Sequence, residues 1–262
     1  MEEIELLKSF NKRIIEIYNE QNLVPISGKD GSLNLPNGKP LLSWSNSITR
    51  HRNCAFETTK VNYHQLIDDL MFISDELVYF TAHLFLYRDY INDPLKDAVT
   101  TNGGQVFYPI YTNVPGKRYA MYLNICYEKV YNYWDRIGDL IASFFPDDFT
   151  GNIYFSNVIR DLQSTYAGNN DYDWLHNFAT TTFRDYNANR IKTVHTISHS
   201  TENKWKQLSQ VADEAKTKEL SEKILAYADE FKKMSDLCIE GIIRTLDFLE
   251  HVNKDKGYQC PN

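Results

Sequence analysis

The stretch Leu66-Ile67-Asp68-Asp69-Leu70-Met71-Phe72-Ile73-Ser74-Asp75-Glu76-Leu77-Val78-Tyr79-Phe80-Thr81-Ala82-His83-Leu84-Phe85-Leu86-Tyr87 decides how this chain folds. Leu66, Leu70, Ile73, Leu77, Phe80, Leu84 and Tyr87, continued by Ile91, recur alternately after four and three residues. This is the helical period, and it lays all of them on one stripe of a helix. A stripe of that kind must be covered by another element. Asp93-Pro94 ends the helix, because the residue before a proline is pushed out of helical geometry.

Two more segments repeat the pattern. From about Lys117 to Phe145 it runs through Leu123, Tyr127, Val130, Trp134, Ile137, Ile141 and Phe144, and Pro146-Asp147-Asp148 stops it. From about Asp213 to Val252 it runs through Leu220, Ile224, Tyr227, Phe231, Met234, Cys238, Ile242 and Leu249. Residues 2–21, with Ile4, Leu7, Ile14, Ile15 and Tyr18, form an amphipathic helix that packs on the main body. A shorter helix spans roughly Ile153 to Tyr166, and from Trp174 a third core helix leads into a polar motif stretch.

The connections read as polar turns. From Val24 to about Lys60, Pro25, Gly28, Gly31, Pro36, Gly38 and Pro40 predict a long loop. Its basic patch, Arg50, His51 and Arg52, is expected to be solvated. Gln105–Tyr111 predicts a short strand or hairpin arm after Asn102-Gly103-Gly104. These readings converge on an all-α fold: an antiparallel helical bundle of four or more long helices, decorated by the N-terminal helix and the long loop. Expected divisions are 1–60 (helix and loop), 61–252 (bundle) and 253–262 (polar tail).

Bulk properties narrow the function classes. A net charge of −7 argues against a broad basic surface for long nucleic acid, while leaving room for a small basic site. The N-terminus, Met1-Glu2-Glu3-Ile4-Glu5, lacks the basic start of a secretory signal. The apolar run Leu77–Tyr87 falls short of the ~20 residues of a membrane span. A cytoplasmic protein without membrane attachment is expected. Cys54, Cys126, Cys238 and Cys260 have no CxxC spacing and read as reduced thiols. The 18 tyrosines suit half-buried helix faces, ring inward and hydroxyl at the rim.

Candidate chemistry gathers between Arg184 and His199. Arg190 and His195 form an Arg-x4-His pair, suited to a phosphodiester: guanidinium binds a phosphate oxygen, and imidazole moves a proton near neutral pH. Five residues along a helix turn the side chains apart by about 140°, so convergence needs the arginine's reach, a kink or a second subunit. The bare pattern arises about once by accident in a chain of this composition. A second match, Arg244 and His251, exists, but it reads as a solvated helix end. Tyr186, Asn189, Lys192 and His199 surround the first pair as candidate substrate-binding groups.

The helix stretch Tyr127 to Phe145, containing Tyr131-x3-Asp135-Arg136-Ile137, followed by Arg190-x4-His195, resembles bacterial members of the HEPN superfamily. The likeness is to the larger stand-alone HEPN-like proteins and covers about residues 60–252. It implies a metal-independent endoribonuclease acting as a homodimer whose Arg-x4-6-His elements face each other, without a cofactor. Arg190 would polarise the scissile phosphate. His195 would act as base or acid for attack by the RNA 2′-hydroxyl, leaving a 2′,3′-cyclic phosphate. It also implies a toxin or defence effector with a protein inhibitor or antitoxin. The residue after the motif arginine, commonly Asn, Asp or His in the family, is Ile191 here. The alternative is a non-catalytic protein of the same fold that binds a nucleotide, RNA or a protein partner.

Two lesser candidates complete the reading. His195 and His199 stand at i and i+4, a metal-holding spacing whose further ligands would be Asp185, Asp171 or Asp173, but a polar rim is the plainer expectation and no metal is expected. Asp135 and Asp139 share a helix face, and pairing with Arg136 and Lys129 accounts for both.

Overall fold

The computed structural model describes residues 2–28, 34–35, 37–55, 63–108, 113–145, 147–149, 153–195 and 198–256. The helices are α1 (Glu2–Glu20), α2 (Leu41–Ala55), α3 (Tyr63–Arg88), α4 (Val114–Ala142), α5 (Phe155–Asp161), α6 (Gln163–Tyr166), α7 (Asn170–Thr180), α8 (Thr182–His195), α9 (His199–Ser209) and α10 (Glu214–Asp255). Among the described residues the strands are β1 (Val99–Thr100) and β2 (Val106–Phe107), paired antiparallel with Val99 opposite Phe107. The fold is all-α. Of the expected strand at Gln105–Tyr111, only β2 is extended and paired, and residues 109–112 lie outside the described residues.

The chain divides into two compact units. The first comprises Met1–Leu23, Val78–Glu128 and Asn189–Met234, and the second Val24–Leu77, Lys129–Ala188 and Ser235–Asn262. The long helices α3, α4, α8 and α10 each contribute to both.

In the first unit, the Tyr119 hydroxyl donates to the Ile224 carbonyl at 2.8 Å, and the Tyr127 ring meets Phe231 edge-on at 4.9 Å. Partner numbers rise together, so α4 and α10 run parallel. On α3, Tyr87 takes a hydrogen bond from Arg118, and both Tyr87 and Phe80 meet Tyr122. His83 is fully buried among Phe10, Tyr79 and Tyr122 and bonds the Tyr79 carbonyl at 2.8 Å. Burial pushes its pKa below the ordinary value.

In the second unit, Arg136 Nε donates to Asp69 at 2.6 Å, and Lys129 pairs with Glu76. Here one number rises as the other falls, so α3 and α4 are antiparallel. The Tyr133 hydroxyl donates to the Cys238 carbonyl at 2.7 Å, repeating the parallel pairing of α4 with α10. Trp134 is fully buried against Phe155 (4.8 Å) and Phe178 (4.1 Å). Gly241 is where that indole crosses α10, since a Cβ there would overlap the ring. A Cβ at Gly138 would stand 2.8 Å from the backbone of Phe155.

Four expectations change. Residues 41–55 of the expected loop are helical, with Leu41, Ser45 and Ile48 buried on one face. A serine in that stripe hides the period, and the holding groups come from far along the chain: Asn253 donates to the Ile48 carbonyl at 3.1 Å and Trp44 to Glu250 at 3.2 Å. The side chains of Arg50, His51 and Arg52 lie outside the described residues. Helix α10 extends to Asp255 because Asn253 is buried in that same contact. The expected helix 153–166 is two, α5 and α6, separated at Leu162. Several tyrosines are wholly buried rather than rimmed: Tyr119, Tyr133 and Tyr172 each donate the hydroxyl to a main-chain carbonyl, which makes full burial tolerable.

Among the described residues one helix, Gln65–Arg88, is long and apolar enough by length and composition to cross a membrane, and 56% of its most apolar 18-residue stretch is buried. The run Leu77–Tyr87 is therefore part of a longer apolar segment than its own length suggests. Cys126 and Cys238 are buried thiols; Cys54 and Cys260 fall outside the side chains described.

Candidate functional site

The continuous helix expected from Trp174 into the motif breaks at Thr181, whose φ of −117° and ψ of −90° are not helical. Its hydroxyl donates back to the Asn177 carbonyl at 2.6 Å, closing α7, and α8 starts afresh at Thr182. On α8, Phe183, Tyr186 and Arg190 follow at spacings of three and four, so they share one face. Phe183 lies 15° from parallel to Tyr131, and Tyr186 is 9% exposed.

Arg190 is half-buried, its side chain 18% exposed, and donates from Nη2 to Glu128 Oε2 of α4 at 3.1 Å. A guanidinium has five N–H donors in a rigid fork, and this ion pair engages one of them while orienting the plane. Asn189 and Ile191 are exposed, Ile191 at 46%. His195 is the last residue of α8 and His199 the first of α9; their side chains lie outside the described residues.

Lys192, about 200° round α8 from Arg190, points to a different partner. Its Nζ donates to Glu202 Oε1 of α9 at 2.9 Å, and Lys206 Nζ reaches the same oxygen at 2.7 Å. Lys206 first, then Lys192, hold the Glu202 carboxyl down at about 2. Ser198 caps the start of α9, its hydroxyl accepting from Thr201 N. Neither Glu128 nor α9 figured in the sequence reading. The signals available for α9 were the capping serine and the i, i+4 pair of Glu202 with Lys206.

The other candidates have structural duties. Arg244 is bracketed by Asp171 at 2.8 Å and Glu240 at 2.7 Å, while His251 bonds Asp255 at 3.0 Å. Arg244 thus ties α7 to α10 instead of standing in solvent, while His251 is exposed near the end of α10 as expected. Asp173 accepts the Gly168 N–H and Asp185 pairs with Arg184. Among the described residues no group of three or more His, Cys, Asp and Glu is placed to hold a metal. Arg136 binds Asp139 at 2.8 Å as expected, but Lys129 goes to Glu76, not to Asp135. Asp135 instead faces the Tyr131 hydroxyl and the Phe155 main chain, and burial raises its pKa. Arg136 thus fastens α4 to α3, and Asp135 reaches the start of α5.

A cavity of 740 Å³ also opens in the first unit, with Tyr119, Leu123 and Ile224 among its lining and Arg88, Asp229 and Lys204 around them. Arg88 is already paired with Asp229 at 3.1 Å.

No curated protein and no solved structure compared with the chain matches it. A family model does match, over residues 110–250, from just before α4 to within the last turns of α10. That span holds both the Tyr131 to Ile137 helix and the Arg190-x4-His195 element, and it begins later than the resemblance expected from residue 60. The chain belongs to the HEPN_Cthe2314-like HEPN family.

Proposed function

We propose that this protein is a metal-independent endoribonuclease that cleaves RNA by 2′-hydroxyl attack, acting in the cytoplasm as a homodimer. The observation that carries the reading is Arg190: it stands five residues before His195 within the family span, half-buried, with its guanidinium oriented by Glu128. An arginine fixed in this way meets a phosphate without first losing the freedom of a long side chain.

In the reaction, neutral His195 takes the proton of the 2′-hydroxyl as its oxygen attacks phosphorus. Arg190 stabilises the charge on the non-bridging oxygens, and the bond from phosphorus to the 5′-oxygen breaks. The departing oxygen takes up a proton and leaves as an alcohol, with a 2′,3′-cyclic phosphate on the other fragment. The turn of about 140° between the two residues is the reason for a dimer, since facing copies bring base and guanidinium onto one phosphate. Asn189 and His199 lie near the pair in sequence and would contact the nucleotide.

A second reading, binding without cleavage, is favoured by Ile191, apolar and exposed where the family commonly carries a polar residue. Cleavage of mixed RNA in excess EDTA separates the two. The nuclease reading expects cyclic-phosphate ends, with Arg190→Ala and His195→Ala each slowing cleavage at least ~100-fold. Cleavage undiminished in both variants, or none by folded dimeric wild type, rejects it.

A further inference from the structure

Helix α9 is amphipathic the wrong way round for a helix that only covers a core. Its half-buried positions are polar, Glu202, Asn203 and Gln207, while its large apolar side chains, Trp205 and Leu208, are 64% and 44% exposed. Tryptophan is highly buried on average, so one left mostly in water marks a contact surface. Glu202, Trp205 and Lys206 stand at i, i+3 and i+4 and share a face of α9. Glu202 there gathers the ammonium groups of both Lys192 and Lys206 on a single oxygen. Two exposed cations against one carboxylate leave the cluster net positive, beside an open indole.

We propose that this face of α9, together with Lys192, binds single-stranded RNA: Trp205 stacks on an unpaired base, and Lys192 and Lys206 take the adjoining phosphate. The inference rests on the ribonuclease reading and names the form of its substrate. Three features select this occupant. The paired ammonium groups complement a polyanion, in a chain whose net charge of −7 makes such a site local. An indole offers a stacking face to any base, but only to one outside a duplex. Lys192 shares α8 with Arg190 but stands about 200° round it, so a strand held here passes round α8 to reach the proposed scissile phosphate. Glu202 keeps the two lysines together in the empty state, and an arriving phosphate competes with it.

The test is fluorescence anisotropy of a labelled 2′-O-methyl RNA of about 12 nucleotides, which the mechanism above cannot cleave, titrated with the full chain as a single strand and as a duplex. The single strand is expected to bind more tightly. Trp205→Ala should weaken binding by about 5- to 100-fold and Trp205→Phe by much less, the range of one base stack. Removing both lysines should lower the slope of log affinity against log salt by about 1.4. Glu202→Gln should tighten binding, whereas a merely structural Glu202 would weaken it when changed. Unaltered binding by Trp205→Ala, or duplex binding as tight as single-strand binding, overturns the proposal and leaves the nuclease reading standing. Conversion of a dimer to monomer by Trp205→Ala in sedimentation assigns the face to a second copy of the chain and also overturns it. Failure of folded wild type to bind any RNA removes both readings.

Discussion

The chain contains the same short pattern twice, and the two copies stand in opposite surroundings. Arg244 sits between Asp171 and Glu240, so two full carboxylates take up its charge and it ties α7 to α10. Arg190 is the more buried of the two and pairs with Glu128 of α4. Arg244, held from both α7 and its own helix, is a fastener; Arg190 is held by Glu128 of α4 inside the span that the family model matches. What separates the two copies is thus which partners folding brings to each arginine, and spacing does not encode that.

The sharpest break between the two is activity. Arg190→Ala should reduce RNA cleavage by about 1000-fold, whereas Arg244→Ala should leave it unchanged in the folded fraction. Equal losses in both variants would show that the comparison has no functional content. Less than one turn before Arg244, Gly241→Ala drives a methyl into the Trp134 indole and should cost about 2 kcal/mol in denaturant unfolding, despite the helix propensity gained. A neutral result there would mean that the aromatic core yields easily.

Arg244→Ala itself should cost about 1 kcal/mol, because its ion pairs are partly exposed and screened, and high salt should shrink the difference. The smallest effect concerns His83, a histidine whose duty is packing. Its folded pKa is depressed below 6.5, so the unfolded chain gains a proton first as pH falls. Stability is therefore full above about 6.5 and declines as pH drops through and below that value. Unfolding followed from pH 7.5 to 5 should show this decline, and His83→Leu should flatten it; an unchanged slope assigns the effect to other groups.

Much of the fold was legible because apolar periodicity reports burial directly. Leu70, Leu77 and Leu84, then Val130, Trp134, Ile137 and Ile141, stand at helical spacing and are all buried. Helix α2 was illegible for the complementary reason: its buried stripe contains Ser45, and its anchors, Glu250 and Asn253, lie some 200 residues away. Within the candidate site, Arg190, Asn189, Lys192 and Tyr186 could be named from the sequence, but Glu128 and Glu202 could not. A lone glutamate on a helix looks like any solvated carboxylate until folding brings a cation to it.

By itself, then, the sequence determined the all-α class, the long helices and the order of motifs that marks the family, because helix formation and one-sided burial depend on neighbours three and four residues apart. The tertiary structure decided which arginine is a fastener, which carboxylates hold the motif cations, and that Trp134 is buried while Trp205 faces water. Those outcomes depend on residues far apart in the chain arriving within a few ångströms, where Coulomb attraction and desolvation are decided.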